Sequence, residues 1–296
     1  MINLGIFLSV VIFCFAGLLK FHQAEQILIP LSSPTGSSTE IKAPPSQDEH
    51  STEDAESDIR QDSPATIRLE GNTLFYYGEI SEVSWANFQS FVADIDTTKV
   101  SRLLINSGGG DTRYGRLLGR WVKENIDIIE VQGGCFSSCA NYIFPAAREK
   151  RIQEGAFVGW HGSEAQFEVL ALSQPNQTGE DIFGAEIKDA LISAFPELDG
   201  TPELKAEISR QFEQSMQSLQ DERQFFNELG LDGKFTVYGL MPEYLAAYEA
   251  SDKRGWSFTL ADMEKLGLGK VKYLSDQRYE DSDSFKKYLY LITLHP

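Results

Sequence analysis

The sequence is poor in basic residues, in cysteine and in histidine, and each shortage restricts the possible functions. Of 296 residues, 26 are Lys or Arg and 44 are Asp or Glu, which leaves a formal net charge of −18 at pH 7. Nucleic-acid binding relies on clustered Lys and Arg, which release counterions from the phosphate backbone. The sequence has no such cluster, so it argues against a nucleic-acid partner. An acidic balance of this kind mainly favours solubility.

Three cysteines limit the chemistry that sulfur can supply. Cys14 lies in an apolar N-terminal segment, so Cys135 and Cys139 are the pair left for the folded part. Two cysteines are too few for a structural zinc site unless histidines join them, and we predict neither a metal nor a cofactor. Outside the cytoplasm, a C-x-x-x-C pair favours a local disulfide.

Four histidines leave one candidate for a catalytic base. His22 and His50 precede the folded region, and His295 is next to the C-terminus. Only His161 can serve a site in the core, with a buried structural histidine at a strand end as the alternative interpretation.

The first 65 residues predict a membrane segment followed by a linker. Residues 2–19 carry no charge, and their length is at the lower limit for a helix that spans a bilayer. A cleaved signal peptide is the alternative, but no small-x-small cleavage site follows. We assign residues 1–24 to an anchor or signal segment and residues 25–65, rich in Ser, Pro and acidic residues, to a disordered linker. Residues 66–296 are then expected to fold in the periplasm or outside the cell.

The folded part alternates strands, glycine-rich turns and helices, which is typical of an α/β fold. A more polar stretch, residues 162–250, has helical periodicity in its middle and indicates an inserted helical arm. A strand or turn, a short helix and a closing strand are predicted from residue 255 onward. Before the arm, strands are predicted at residues 66–71, 72–80, 100–107 and 126–132 and within 151–161, and helices at 84–94, 114–123 and 139–144.

Two short segments supply the groups that serine chemistry requires. Gly108, Gly109 and Gly110 follow a strand and precede a helix, where a backbone without Cβ atoms can approach a substrate and present N–H groups. Ser137 and Ser138 lie where the next helix begins, near the positive end of its dipole. A tight turn and a helix-capping serine are the structural alternatives.

Together with His161, these segments resemble the Clp-type serine peptidases of the crotonase superfamily. The opening strand of the Clp protease proteolytic subunit resembles LFYYGEI, and its strand, glycine loop and helix resemble INSGGGDTRYGRLLGRWV. Its nucleophile turn, helix and base strand resemble GGCFSSCANYIFPAAREKRIQEGAFVGWHG, and its closing segment resembles WSFTLADMEKLGLGKVKYL. The resemblance covers residues 66–161 and 252–274. It implies a crotonase/Clp-like spiral of ββα units into which the helical arm is inserted.

The resemblance also implies a role for each site residue. Ser137 would be the nucleophile, with Ser138 as the alternative, and His161 the general base. The backbone N–H groups of Gly110 and Ser138 would form the oxyanion hole, with Gly109 shaping the loop. The C-x-S-x-C pattern around Ser137 is similar to that of extracytoplasmic members of the superfamily.

The third member of a triad is less evident. Asp252 stands six residues before Phe258, as an aspartate of the family stands before the phenylalanine of its closing segment. Asp252 lies 91 residues beyond His161, so this match requires the arm to be an insertion. Glu249 is the fallback, and an exposed aspartate at a helix end is the structural alternative.

Three functions are compatible with these residues. The first is an ATP-independent, membrane-anchored extracytoplasmic serine peptidase that acts on a peptide or protein substrate through an acyl-enzyme. The second is a Clp-fold binding or scaffold protein that has lost catalysis. The third, an acyl-CoA enzyme, is disfavoured because coenzyme A is not expected outside the cytoplasm. Nothing in the sequence predicts an oligomeric state.

Overall fold

A computed structural model describes residues 64–172, 174 and 176–294. The predicted anchor at 1–24 lies outside the described residues, as does the predicted linker at 25–65 apart from its last two residues. Within the described ranges, no helix is both long enough and apolar enough to cross a membrane.

A mainly parallel sheet organises this part of the chain. Its strands are β1 (Thr66–Glu70), β2 (Thr73–Tyr77), β3 (Arg102–Ser107), β4 (Ile128–Phe136), β5 (Glu149–Gln153), β6 (Phe157–Gly159) and β8 (Val271–Leu274). The order is β1-β2-β3-β4-β5-β8, β6 also pairs with β4, and only β1 runs antiparallel to its neighbour. Two further strands, β7 (Gly255–Phe258) and β9 (Leu289–Ile292), form a separate parallel pair.

The helices follow the strands as the α/β prediction requires. They are α1 (Glu82–Ala93), α2 (Thr112–Asn125), α3 (Gln166–Leu172), α4 (Gly179–Ala194), α5 (Pro202–Leu229), α6 (Pro242–Ala250), α7 (Leu260–Lys265) and α8 (Asp283–Tyr288). Side chains cap the first two helices: Ser81 accepts from the Ser84 N–H, and Asp111 accepts from the N–H groups of Arg113 and Tyr114. Such caps satisfy N–H groups that have no partner within the helix. The α/β fold class is therefore confirmed.

The core strands are apolar because neighbours cover both of their faces. β3 is buried from Leu103 to its end, and β4 buries Ile129 and Val131 completely. Near-continuous apolar runs of this kind are typical of the central strands of parallel sheets.

Helices α3 to α6 lie between β6 and β7, in the stretch that the sequence assigns to an arm. Part of this stretch has a small core of its own, formed by Phe183, Ile187, Leu191 and Leu204. The 28-residue α5 continues beyond it and reaches α2.

Three details differ from the sequence prediction. The segment predicted as a helix at 139–144 is a π-helical turn, Cys139–Ile143, that passes into a 3₁₀ turn at Phe144–Ala146, where Pro145 lacks an N–H group. The single strand predicted within 151–161 is two strand segments, because Gly155 turns the chain with φ 73°. The C-terminal α8 and β9 were not predicted, since six and four residues are too short for a clear periodic signal.

Candidate active site

The site lies at the carboxyl ends of parallel strands, where α/β proteins bind their ligands. A bulge in β4 directs the end of this strand toward the site. It pairs with β3 in regular register as far as Val131 and resumes at Cys135, opposite Ser107. Inside the bulge, Gly133 has φ 83°, and the N–H of Gly134 donates to Asn106 Oδ1 at 3.0 Å. A bulge redirects the strand beyond it, and the last three residues of β4 accordingly pair with β6 instead of β5.

Ser137 follows β4 in an unusual backbone conformation. Its φ is 57°, and no other non-glycine residue in the described ranges has a positive φ. Its N–H donates to the Gly159 carbonyl at 3.1 Å, and its own carbonyl accepts from the Asn141 N–H at 2.8 Å. A left-handed serine costs about 1–2 kcal/mol, and such strained residues concentrate at functional sites. The turn presents a half-buried hydroxyl at the junction of strand and helix.

His161 lies beside this hydroxyl. Its Nε2 is 2.7 Å from Ser137 Oγ, a hydrogen-bonding distance. The backbone that precedes His161 is anchored by Trp160, which exchanges two hydrogen bonds of 2.9 and 2.7 Å with Trp256 of β7. Burial lowers the pKa of His161 to about 4. The imidazole is therefore neutral at pH 7 and able to accept a proton.

Ser138 has a different environment from Ser137. It is 1% exposed, and its hydroxyl donates to the Gly110 carbonyl at 2.6 Å. The side chain thus joins the turn that carries Ser137 to the glycine loop. Of the two candidate serines, Ser137 is the one whose hydroxyl meets the histidine.

The glycine loop packs directly against the turn that carries Ser137. Gly109 has φ 101°, and a Cβ there would lie 2.6 Å from both the Phe136 carbonyl oxygen and the Ser137 Cβ. Ile80 holds the loop from its other side, with its N–H bonded to the Gly109 carbonyl at 2.8 Å. Only a glycine fits at Gly109 without displacing the turn, because both its space and its φ exclude a side chain.

Two backbone N–H groups remain available at this junction. Those of Gly110 and Ser138 donate to no acceptor in the part of the chain that the structure describes. Free N–H groups beside a nucleophile are what an oxyanion hole requires. The two residues that the resemblance names for this role therefore lie next to each other, joined by the Ser138 side chain.

A disulfide brackets the same turn. Cys135 and Cys139 are bonded, with their Cα atoms 5.2 Å apart, and both are fully buried. Because Ser137 lies midway between them, the bond limits the conformations that its backbone can adopt.

Asp252 does not have the position that a triad aspartate needs. Such a residue is buried and hydrogen-bonded to the imidazole, whereas the Asp252 side chain is 85% exposed and pairs with Lys253 Nζ at 2.8 Å. The resemblance placed Asp252 by its spacing from Phe258, but here the chain between α6 and β7 lies at the surface. Glu249, the fallback, is exposed near the end of α6.

Sequence reasoning missed several side chains that support the site. The Phe136 ring stacks on the imidazole of His161, with ring centroids 5.1 Å apart and planes inclined by 22°. Asn141 Nδ2 donates at 2.9 Å to the carbonyl of Gly162, the residue after His161. Asn141 is one helical turn beyond Ser137, and this spacing was the signal that could have identified it.

A buried polar network lies behind the two segments that carry Ser137 and His161. Glu222 of α5 accepts from the Tyr142 hydroxyl at 2.8 Å and from the Ser163 hydroxyl at 3.2 Å. Arg116 of α2 lies 3.6 Å from Glu164. Burial, reinforced by the negative charge of Glu164, raises the pKa of Glu222 to about 7. Through Tyr142 and Ser163, α5 thus contacts the segment after each candidate catalytic residue.

The described residues contain no group of three or more His, Cys, Asp or Glu side chains placed to hold a metal ion.

No protein-family model and no curated protein matches the chain. Among solved structures, it is similar to ClpP1 from Listeria monocytogenes at 18% identity and a TM-score of 0.28, over 42% of this chain and 71% of that one. An enoyl-CoA hydratase/isomerase from Marinobacter aquaeolei is similar at 10% identity and a TM-score of 0.27, over 44% and 58%. A methylmalonyl-CoA decarboxylase complexed with 2S-carboxypropyl-CoA is similar at 10% identity and a TM-score of 0.28, over 36% and 52%. The chain thus spans about half the length of that decarboxylase.

Proposed function

We propose that this protein is an ATP-independent serine peptidase that forms an acyl-enzyme on Ser137. The observation that supports this most directly is the 2.7 Å contact between Ser137 Oγ and His161 Nε2. A nucleophile within hydrogen-bonding reach of a base is the signature of covalent catalysis by serine. The left-handed backbone of Ser137 adds to this support, because a structural serine has no need of it.

In the first half-reaction, Ser137 Oγ attacks the carbonyl carbon of the scissile peptide bond, and its proton passes to His161 Nε2. The N–H groups of Gly110 and Ser138 receive the oxyanion. When the intermediate collapses, the C–N bond breaks and the imidazolium gives its proton to the leaving amine. Water then attacks the ester by the same route, which releases the acid and restores the Ser137 hydroxyl.

The proposal places the site outside the cytoplasm, on a membrane-anchored chain. The uncharged residues 2–19 and the acidic stretch that follows them support an anchor and a tether. The disulfide at Cys135 also supports this location, because oxidising compartments preserve such bonds. The substrate would be a peptide or protein that reaches the same side of the membrane.

A second candidate function is a binding or scaffold protein that keeps the fold without catalysis. The surface position of Asp252 favours it, since the aspartate of a working triad is buried. The two candidates differ in one property, the reactivity of the Ser137 hydroxyl.

A fluorophosphonate probe applied to the full-length protein in detergent measures that reactivity. We expect covalent labelling that Ser137→Ala abolishes and His161→Ala reduces almost as much, because nucleophile and base act as one unit. Ser138→Ala is the matched control. It removes a neighbouring hydroxyl that bonds to Gly110, so labelling should persist at a rate reduced roughly threefold to tenfold, the equivalent of one hydrogen bond.

Absence of labelling in folded wild-type protein would decide for the scaffold function. Labelling that survives Ser137→Ala but disappears with Ser138→Ala would instead identify Ser138 as the nucleophile.

A further inference from the structure

The aromatic ring of Phe136 stacks on the imidazole of His161, the candidate general base. Its centroid lies 5.1 Å from that of the His161 ring, and the two rings are nearly parallel. Phe136 is the residue before the candidate nucleophile, and its side chain is 5% exposed. One turn of chain therefore supplies both the hydroxyl that meets His161 and the surface on which the imidazole rests.

Two glycines lie against this ring at positions where a side chain would collide with it. A Cβ on Gly159 of β6 would lie 2.8 Å from Phe136 Cδ2, and one on Gly255 of β7 would lie 2.7 Å from Phe136 Cε2. Neither glycine has a positive φ, so their backbones do not require glycine. Their missing side chains leave the space that the ring occupies, with Leu289 and the Trp160 carbonyl close by.

An aromatic ring stacked on a general base can stabilise the charge that the base acquires when it accepts a proton. When His161 accepts the serine proton it becomes an imidazolium, which a triad aspartate would normally stabilise. The face of an aromatic ring carries negative charge density and attracts a cation within about 6 Å of its centroid. Phe136 is within that distance.

We propose that Phe136 is a positioning residue that fixes the plane of His161 and stabilises its imidazolium through the ring face. This inference rests on the proposed function, since it concerns the proton that His161 accepts during catalysis.

Fluorination of the ring tests the electrostatic part without changing its shape. Phe136 in the full-length protein is replaced with mono-, di- and trifluorinated phenylalanine, which progressively withdraws charge from the ring face. We expect the fluorophosphonate labelling rate to decline stepwise, by roughly threefold to tenfold over the series. The pKa of His161, measured by NMR, should fall in parallel because the imidazolium loses its stabilisation.

The same series at Phe88 is the matched control. Phe88 is also buried and packs edge-on against Trp121 at 4.9 Å, but it does not contact His161. Both readouts should stay constant there. A flat response at Phe136 in both readouts would overturn the inference and leave the ring a purely steric part of the core.

The two readouts separate this inference from the proposed function. If wild-type protein is not labelled but the pKa of His161 still follows fluorination, the peptidase proposal fails while the proposed role of Phe136 stands. If labelling is normal in all fluorinated variants and the pKa does not move, the peptidase proposal stands while the proposed role of Phe136 fails.

Discussion

Ser137 is held in its backbone conformation by contacts that converge from several elements. Its neighbours Cys135 and Cys139 are bonded to each other, and Gly159 and Asn141 bond to its backbone. The φ of 57° therefore represents strain that the surrounding structure maintains so that the hydroxyl faces His161.

This strain predicts a difference in stability between two variants that lack the Ser137 hydroxyl. Ser137→Gly and Ser137→Ala both remove the hydroxyl, but glycine adopts a positive φ without steric cost and alanine does not. We expect the glycine variant to be more stable than the alanine variant by about 0.5–1 kcal/mol, after allowing for the larger entropy that glycine loses on folding. Urea denaturation of the two proteins measures this difference. An alanine variant at least as stable as the glycine variant would mean that the turn carries no such strain.

The environment of His161 predicts an unusual pH dependence. Burial holds its pKa at about 4, well below the ordinary value of 6.5. The neutral imidazole is the form that accepts a proton, so its population changes little between pH 7 and pH 5. The labelling rate of wild-type protein should stay nearly constant over that range and fall only as the pH approaches 4. A rate that is halved near pH 6.5 would show an imidazole exposed to solvent.

At the scale of elements, α5 links the helical arm to the segments that follow Ser137 and His161. Its Glu222 is 2% exposed and bonds to Tyr142 and Ser163. The pKa of this carboxyl is raised to about 7, so the folded state retains a proton that the unfolded chain has lost. Stability from this group is fully present below the unfolded value of about 4.5 and is lost as the pH rises through 7.

Glu222→Gln tests this linkage, because the amide imitates the protonated acid at every pH. The free energy of unfolding of wild-type protein should contain a component that declines between about pH 4.5 and 7, and the variant should lack it. Glu213→Gln, at an exposed position of the same helix, is the control and should keep the wild-type slope. If the free energy of unfolding depends on pH identically in wild type and Glu222→Gln, then Glu222 is not the source of the declining component.

At the scale of the whole molecule, the proposed location gives a prediction about the full chain. Residues 2–19 lack charge and a cleavage site, so the intact protein should sediment with membranes and be released by detergent. Sequencing the N-terminus of the mature protein is the decisive measurement. A mature protein that begins near residue 25 would establish a cleaved signal and a soluble product.

Much of the fold was predictable from local pattern, and parts of the site were not. The strands β1 to β4 and the helices α1 and α2 follow from apolar runs, glycines and caps that lie close together in the sequence. The π-helical turn at Cys139–Ile143 does not, because its backbone depends on the turn before it and on Pro145 after it. Asp252 was predicted only from its spacing to Phe258. That spacing contains no information about whether the residue is buried or exposed once the arm is inserted before it.

The sequence by itself determined that the described residues form an α/β protein and that His161 is the one histidine among them. It also determined that Ser137 and Ser138 lie at a strand–helix junction. Only the tertiary structure decided which serine faces the imidazole, because that choice depends on the bulge in β4 and on the contact of Ser138 with Gly110. It also decided that the Phe136 ring lies against His161 and that Asp252 is exposed, since these placements depend on contacts between residues that are distant in the chain.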